Sequence, residues 1–294
     1  MNQRLSRFLA LGAAALALSA CATTTLTRLA YNNAAFAYAN LAPMLTWMVD
    51  DYVALSGVQE DWVRGRIEAA IEWHRAQELP RYRSLLESAL AKSAAPFTAE
   101  DLAGYQKALR ARYHRLLEQV VPDTAEFLGN LDADQVAQVE RKFALDNGKF
   151  AKESMSGTPD ERLQRRMLRF INHLEAWLGP LTDEQRDLVA AAYHRLPDLS
   201  SEMLGERRYR QGEILALIRA RGPKGEMAGQ LRRLLVETET WRRPEYVERL
   251  RSRDRQLFEM LAALSATLSP EQRMALQSRI RGFLRDITTL TASS

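Results

Sequence analysis

Two pairs of residues carry the spacing of helical acid–base or metal ligands: His74 with Glu78, and His114 with Glu118. Four residues apart on a helix, an imidazole and a carboxylate share one face. Carboxylate and imidazole groups from facing helices are how di-metal bundles are assembled. The chain has no Glu-x-x-His pair and no His-Glu-x-x-His run, however. Ordinary His–carboxylate hydrogen bonds along the helix are therefore the expected use of both pairs. Asp50 and Asp51 close an apolar stretch just upstream. Two carboxylates at a helix C-terminus oppose its dipole by roughly a few tenths of a kcal/mol each. Arg64 or Arg66 across the turn is the expected counter-charge, and a cation or ligand site is the sharper alternative. No serine sits in a G-x-S-x-G context and no glycine-rich phosphate loop is present,. Paired carboxylates for glycosidic cleavage stay open, because acids are spread widely over the predicted helices,. The candidate constellation is Asp50, Asp51, Trp62, Trp73, His74 and Glu78, with no catalytic, cofactor or metal role assigned to any of them.

The element that positions most of this set is Leu55–Tyr82. Val63, Ile67, Ala70, Ile71 and His74 fall on one helical face, and Trp62, Ala69 and Trp73 follow the same spacing one residue earlier. The arc is wide enough to be buried between two neighbours. Its start, Leu55-Ser56-Gly57-Val58-Gln59, recurs as Leu131–Gln135, Leu181–Gln185 and Leu268–Gln272, an L-[STD]-x-x-Q pattern. The physical content is a capping box, in which the Ser, Thr or Asp side chain caps the N3 amide and the glutamine reaches back to the N-cap amide. Thr98 with Asp101 and Thr158 with Glu161 use the same chemistry. The four glutamines are spaced by 76, 50 and 87 residues, so no fixed period supports a solenoid,. Gly129 and Gly179 stand where a C′ glycine would end a helix before the next cap, which makes antiparallel hairpins.

The fold class is all-α: a multi-helix bundle of helix hairpins. Helices are predicted over 29–40, 43–54, 57–79, 81–93, 99–119, 123–129, 133–152, 159–178, 183–195, 200–220, 224–241, 245–266 and 270–290. The break at Ser154–Pro159 divides the chain into lobes 28–153 and 158–291, or is bridged by continuous packing.

The first residues speak to location. Arg4 and Arg7 precede an apolar run from Phe8 to Leu18, then Leu18-Ser19-Ala20-Cys21. The run is too short to span a membrane and has the layout of a secretory signal. The tetrapeptide resembles the lipobox of bacterial lipoproteins. That resemblance implies a signal over 1–20, acylation of Cys21, a tether over 21–27, and attachment to the lipid bilayer. Ala22, in place of aspartate, implies the inner leaflet of the outer membrane, facing the periplasm. Cys21 is the only cysteine, so no disulfide framework is available,. Of the 41 basic residues only six are lysine, and the formal charge of +4 falls to +2 once Arg4 and Arg7 are removed. Such a balance gives no reason to expect a nucleic-acid partner. Two arginine-rich stretches, Glu206–Arg210 and Trp241–Pro244, fit a solvated, ion-paired surface, with anionic lipid or glycan as the alternative.

Tyr31-Asn32, Trp47–Tyr52, Leu55 with Gln59, Trp73-His74-Arg75 and Glu78–Tyr82 together resemble the DUF6279 family of bacterial lipoproteins. Arg253-Asp254 and Leu268–Arg273 fit as well. The resemblance implies location and fold and carries over no catalytic residue. More loosely, the L-[ST]-x-x-Q starts are similar to those of Spy-type periplasmic helical chaperones, a likeness that capping alone can produce. The expected function is an outer-membrane-anchored helical module that binds another envelope component, without cofactor. The alternatives are an enzyme acting on cell-wall or lipid material through carboxylates near His74, and a structural spacer.

Overall fold

The computed structural model describes Tyr38 and residues 40–292. Cys21, the tether, the signal segment and nearly all of the predicted helix 29–40 lie outside the described residues. Among the described residues the chain is all-α: α1 (Leu41–Val53), α2 (Gly57–Gln77), α3 (Leu79–Lys92), α4 (Ala99–Gly129), α5 (Ala133–Met155), α6 (Pro159–Leu178), α7 (Asp183–Arg195), α8 (Ser200–Ala220), α9 (Lys224–Leu235), α10 (Pro244–Ala266) and α11 (Pro270–Ala292), with a 3₁₀ turn at Thr238–Thr240.

The predicted caps form. Ser56, Thr98, Asp132, Thr158 and Thr182 each accept from the N3 amide while the N3 side chain accepts from the cap amide. Ser269 and Gln272 do the same at α11. Three boundaries differ from expectation. Residues 99–119 and 123–129 are one helix of 31 residues running through Pro122. A proline inside a helix deletes a hydrogen bond. Here Leu117, Val120 and Val121 before it and Ala125 and Leu128 after it enter the same core, which holds the helix together. Gly129 is the last helical residue and not a left-handed cap, whereas Gly179 has φ 78°. The helix expected to reach residue 241 stops at Leu235 and resumes as the 3₁₀ turn.

The glutamines of the four L-[STD]-x-x-Q starts pair in space. Gln59 Nε2 donates to Gln135 Oε1 at 3.1 Å and Gln135 Nε2 returns the bond at 2.7 Å. Gln185 and Gln272 exchange bonds of 2.9 and 2.8 Å in the same way. Each Oε1 therefore accepts twice, from its own cap amide and from the partner amide. A glutamate would satisfy the cap equally well but has no N–H to return. The spare Nε2 protons close the turns: Gln135 donates to the Ala54 carbonyl, Gln185 to that of Thr267 and Gln272 to that of Pro180.

Around each pair the helices repeat one arrangement. α1 packs on α2 and α5, and α2 on α4; correspondingly, α6 packs on α7 and α11, and α7 on α10. Position Q+4 is the core valine in three of the four cases, Val63, Val139 and Val189, all buried. A carboxylate near the end of each first helix also accepts the amide of the next leucine: Asp50 Oδ1 from Leu55 at 2.8 Å, Glu175 Oε1 from Leu181 at 3.3 Å. The remaining helices cross over. α8 lies on α5 and α9 on α4, so Ile214, Ile218, Leu231 and Leu234 complete the first core. α3 lies on α11, where Tyr38, Leu79 and Ile287 form a small third core. Packing is continuous across the break at 156–158.

Candidate functional site

A small open groove of about 50 Å³ runs between α1, α2 and α4. Its floor is Val49 from α1, Val63, Ile67 and Ala70 from α2, and Val120 and Phe127 from α4. These are core-facing positions by helical period, left uncovered on one side. Trp62 walls one end, stacked on Phe127 at 6.1 Å between ring centroids and 14° between planes. Arg66 lies over the Trp62 ring at 5.2 Å and pairs with Asp123 at 3.8 Å across the mouth. Both of those ionic side chains are substantially exposed, so the pair adds little stability and is free to rearrange,.

The predicted constellation divides between this groove and its supports. Trp62 and Trp73 both pack half-buried against the first core, as the helical arc anticipated. Asp50 and Asp51 are not balanced by Arg64 or Arg66, which pair instead with Glu60 and Asp123. Asp50 is consumed by the Leu55 amide, and Asp51 pairs with Lys142 on α5. The expected compensation along α2 fails because each acid is met by another group, the Leu55 amide for Asp50 and Lys142 on α5 for Asp51.

The side chains of His74 and Glu78 do not bond to each other. Glu78 caps α2 and still donates its backbone N–H to the His74 carbonyl, but the two side chains are taken by different partners. Pro80 stands in the first turn of α3, just past this junction,. Glu78 is fully enclosed and faces Arg115 at 3.0 Å and Arg112 at 3.7 Å. His74 is 7 % exposed and its Nδ1 lies 3.0 Å from the Tyr38 hydroxyl. That hydroxyl donates to the Ile71 carbonyl at 3.1 Å, so it accepts from Nδ1–H. Nε2 is left as the unprotonated nitrogen, enclosed and without a hydrogen-bond partner among the described residues. Burial lowers the His74 pKa to about 4,. In the second pair, which shares one turn of α4, Glu118 bonds Arg232 on α9 at 2.9 Å. Among the described residues, no three His, Cys, Asp or Glu side chains converge as a metal site.

A buried polar cluster behind α1 lay outside the constellation. Tyr52 donates to Asp146, and Asn147 donates to Gln211 Oε1 at 2.7 Å. Arg207 stacks over Phe150 at 5.7 Å. Burial, then the Asp146 hydrogen bond, raise the Tyr52 pKa. The signal is present in sequence: Val136, Val139 and Phe143 mark the buried stripe of α5, and Asp146 and Asn147 fall on it. Polar residues on an apolar stripe need partners, and Tyr52 on α1 and Gln211 on α8 supply them,.

A family model of unknown function, DUF6279, matches residues 51–247. The chain belongs to that family. In this DUF6279 member the match begins at the end of α1, contains the groove-lining residues of α2 and α4 and the His74–Glu78 junction, and stops in the first turn of α10. Tyr31-Asn32 and the Leu268–Arg273 stretch lie outside it. Neither the curated proteins nor the solved structures yielded a match.

Proposed function

We propose that this DUF6279 chain is a lipid-anchored, periplasm-facing module of the outer membrane whose α1–α2–α4 groove holds an apolar side-chain anchor of another envelope protein. The groove is the observation that carries the reading. It is apolar on its floor, aromatic at one end, and bordered by one exposed ion pair that a partner's charges can replace,. The lipobox residues Leu18–Cys21 support the anchor, and no described helix is long and apolar enough to cross a membrane. His74 and Glu78 are enclosed by their neighbours, an arrangement that supports the α2–α3 junction and presents no acid–base pair to a substrate.

The test is photo-crosslinking in cells from position 66, repeated in an Ala70→Trp variant whose indole fills the groove. A protein adduct that forms in the first case, disappears in the second, and rebinds the purified chain is expected. Adducts with lipid alone, or ones indifferent to Ala70→Trp, overturn the binding reading. The anchor is tested separately by Cys21→Ser, which should shift the chain from membrane to soluble fractions; unchanged membrane association refutes it.

A further inference from the structure

Two of the large apolar side chains that stand out in solvent belong to neighbouring helices. Trp47 on α1 is 65 % exposed and Leu145 on α5 is 61 % exposed. The two helices run antiparallel. Gln135 donates to the Ala54 carbonyl, Lys142 pairs with Asp51, and Asp146 accepts from Tyr52. Moving forward along α5 therefore moves back along α1. Trp47 is one turn back from Asp51, and Leu145 is about one turn on from Lys142. Leu45 and Val49 on α1, and Val139 and Phe143 on α5, take the inward positions. Trp47 and Leu145 thus lie on the solvent side of the Asp51–Lys142 pair, on one outer face.

The stripe of α5 that carries Leu145 is Gln138, Arg141, Lys142, Leu145, Lys149 and Lys152, the spacing of a single helical face,. It holds three of the chain's six lysines and no acid. Lys142 is answered by Asp51, and exposed Lys149 lies 3.9 Å from the buried Asp146. Arg141 bonds the neutral Gln138, and Lys152 is exposed. Other exposed apolar residues have a mixed setting. Leu168 shares its face of α6 with Glu161, Arg165 and Glu175, and Met274 shares its face of α11 with Glu271 and Arg281. In the arginine-rich stretches, Arg242 is answered within the fold by Glu206 at 3.0 Å.

We propose that the outer face of α1 and α5, with Trp47 and Leu145 at its centre and Arg141, Lys149 and Lys152 around them, rests on the surface of an anionic bilayer. An indole and a leucine among long basic side chains is the composition that settles at a lipid–water boundary. The apolar groups enter the headgroup region while the cations meet lipid phosphates. Which membrane the face meets rests on the lipid-anchor reading. α1 is the first described helix after Cys21, and the twenty residues from Cys21 to Leu41 reach at most about 70 Å,. Val49, on the groove floor, lies two residues and more than half a turn from Trp47,. Lipid against Trp47 therefore leaves the α1–α2–α4 groove clear.

The test uses the full chain carrying Cys21→Ser, which removes acylation and the only cysteine. A single bimane fluorophore is then placed through Leu145→Cys, or through Leu168→Cys as the reference face. Vesicles of phosphatidylcholine with phosphatidylglycerol should shift the emission at 145 to shorter wavelength, with quenching by nitroxide lipids, and leave 168 unchanged. Vesicles of phosphatidylcholine alone should give a response at least about tenfold weaker. Lys149→Glu with Lys152→Glu, and separately Trp47→Ser, should each raise the lipid concentration for half-maximal response by about tenfold or more. All three side chains are exposed, and circular dichroism checks that these variants stay folded. The proposal is overturned by no response at 145, by equal responses at 145 and 168, by indifference to lipid charge, or by unaltered binding in both variants. An envelope protein crosslinked at 145 in cells, without a vesicle response, assigns the face to a protein and overturns it too. Vesicle binding is read without the acyl chains, so its failure and the failure of the anchor are separate results.

Discussion

The two glutamine pairs invite comparison, because the same helix-start chemistry has been built into two quartets with different outcomes. In the quartet of α6, α7, α10 and α11, Gln185 and Gln272 are both buried. Phe170, Ile171, Val189, Leu257 and Leu264 fill the space between the helices. In the quartet of α1, α2, α4 and α5, Gln59 is half-buried, the core borrows α8 and α9, and the groove stays open between α2 and α4. The second quartet reads as a closed scaffold and the first as the one left with an uncovered apolar face. Capping fixes where helices start and how pairs of turns meet; which faces remain open is decided by the helices inserted between them.

The sharpest way to break this comparison is to charge both pairs. Gln185→Glu with Gln272→Glu keeps each capping box but sets two carboxylates against each other in an enclosed position. The expected loss is roughly 3–5 kcal/mol. Gln59→Glu with Gln135→Glu, partly hydrated, should lose roughly 1–2 kcal/mol. Urea unfolding of the two double variants measures both; equal losses would erase the distinction between closed and open quartets.

Acid should sharpen it next. His74 has a folded pKa of about 4 against 6.5 in the unfolded chain. The unfolded state therefore binds the extra proton between those values, and stability falls as pH drops from about 6.5 towards 4. The full effect is about 3 kcal/mol. The difference between parent and His74→Phe, followed by denaturant midpoint against pH, isolates this contribution from the carboxylates. His173 on α6 is half-buried, and desolvation lowers its pKa too. His173→Phe should flatten the profile less, and a larger change there would contradict the burial ranking.

The smallest effect separates the two equivalent turns. Ala54 adopts φ 56° where the other quartet has Gly179 at φ 78° and ψ −172°. Gly179→Ala should cost about 1–3 kcal/mol, because that backbone region is open almost only to glycine. Ala54→Gly should be neutral or stabilise by up to about 1 kcal/mol. Thermal melts compare them, and equal, same-signed changes would contradict this difference between the turns.

What could be read from the sequence was what is local. All six predicted N-caps rest on residues within three positions of one another, and all six form. Contacts across helices were not legible in the same way. A glutamine that fully accounts for its cap gives no hint that it also bonds another glutamine 76 or 87 residues away. The His74–Glu78 pair failed on competition from other elements: Tyr38 takes the imidazole, and Arg112 and Arg115 on α4 take the carboxylate. Pro122 failed in the opposite sense, since packing on both sides of it outweighs one missing hydrogen bond. The place of the groove between α1, α2 and α4 depends on α9 covering another side of α4, again a contact between helices far apart in sequence.

The crossing of α8–α9 onto the first quartet and of α3 onto the second also sets an order in time. A chain emerging from its N-terminus presents α1 through α5 long before Leu231 and Leu234 arrive to finish their core. Arg83, close to the start, meets Thr288, 205 residues later. Contacts of such separation fold slowly, since their loops must close before any stabilisation returns. The first core stays unfinished until α9 has emerged, leaving the apolar sides of α4 and α5 unshielded, and the second stays unfinished until α11 has.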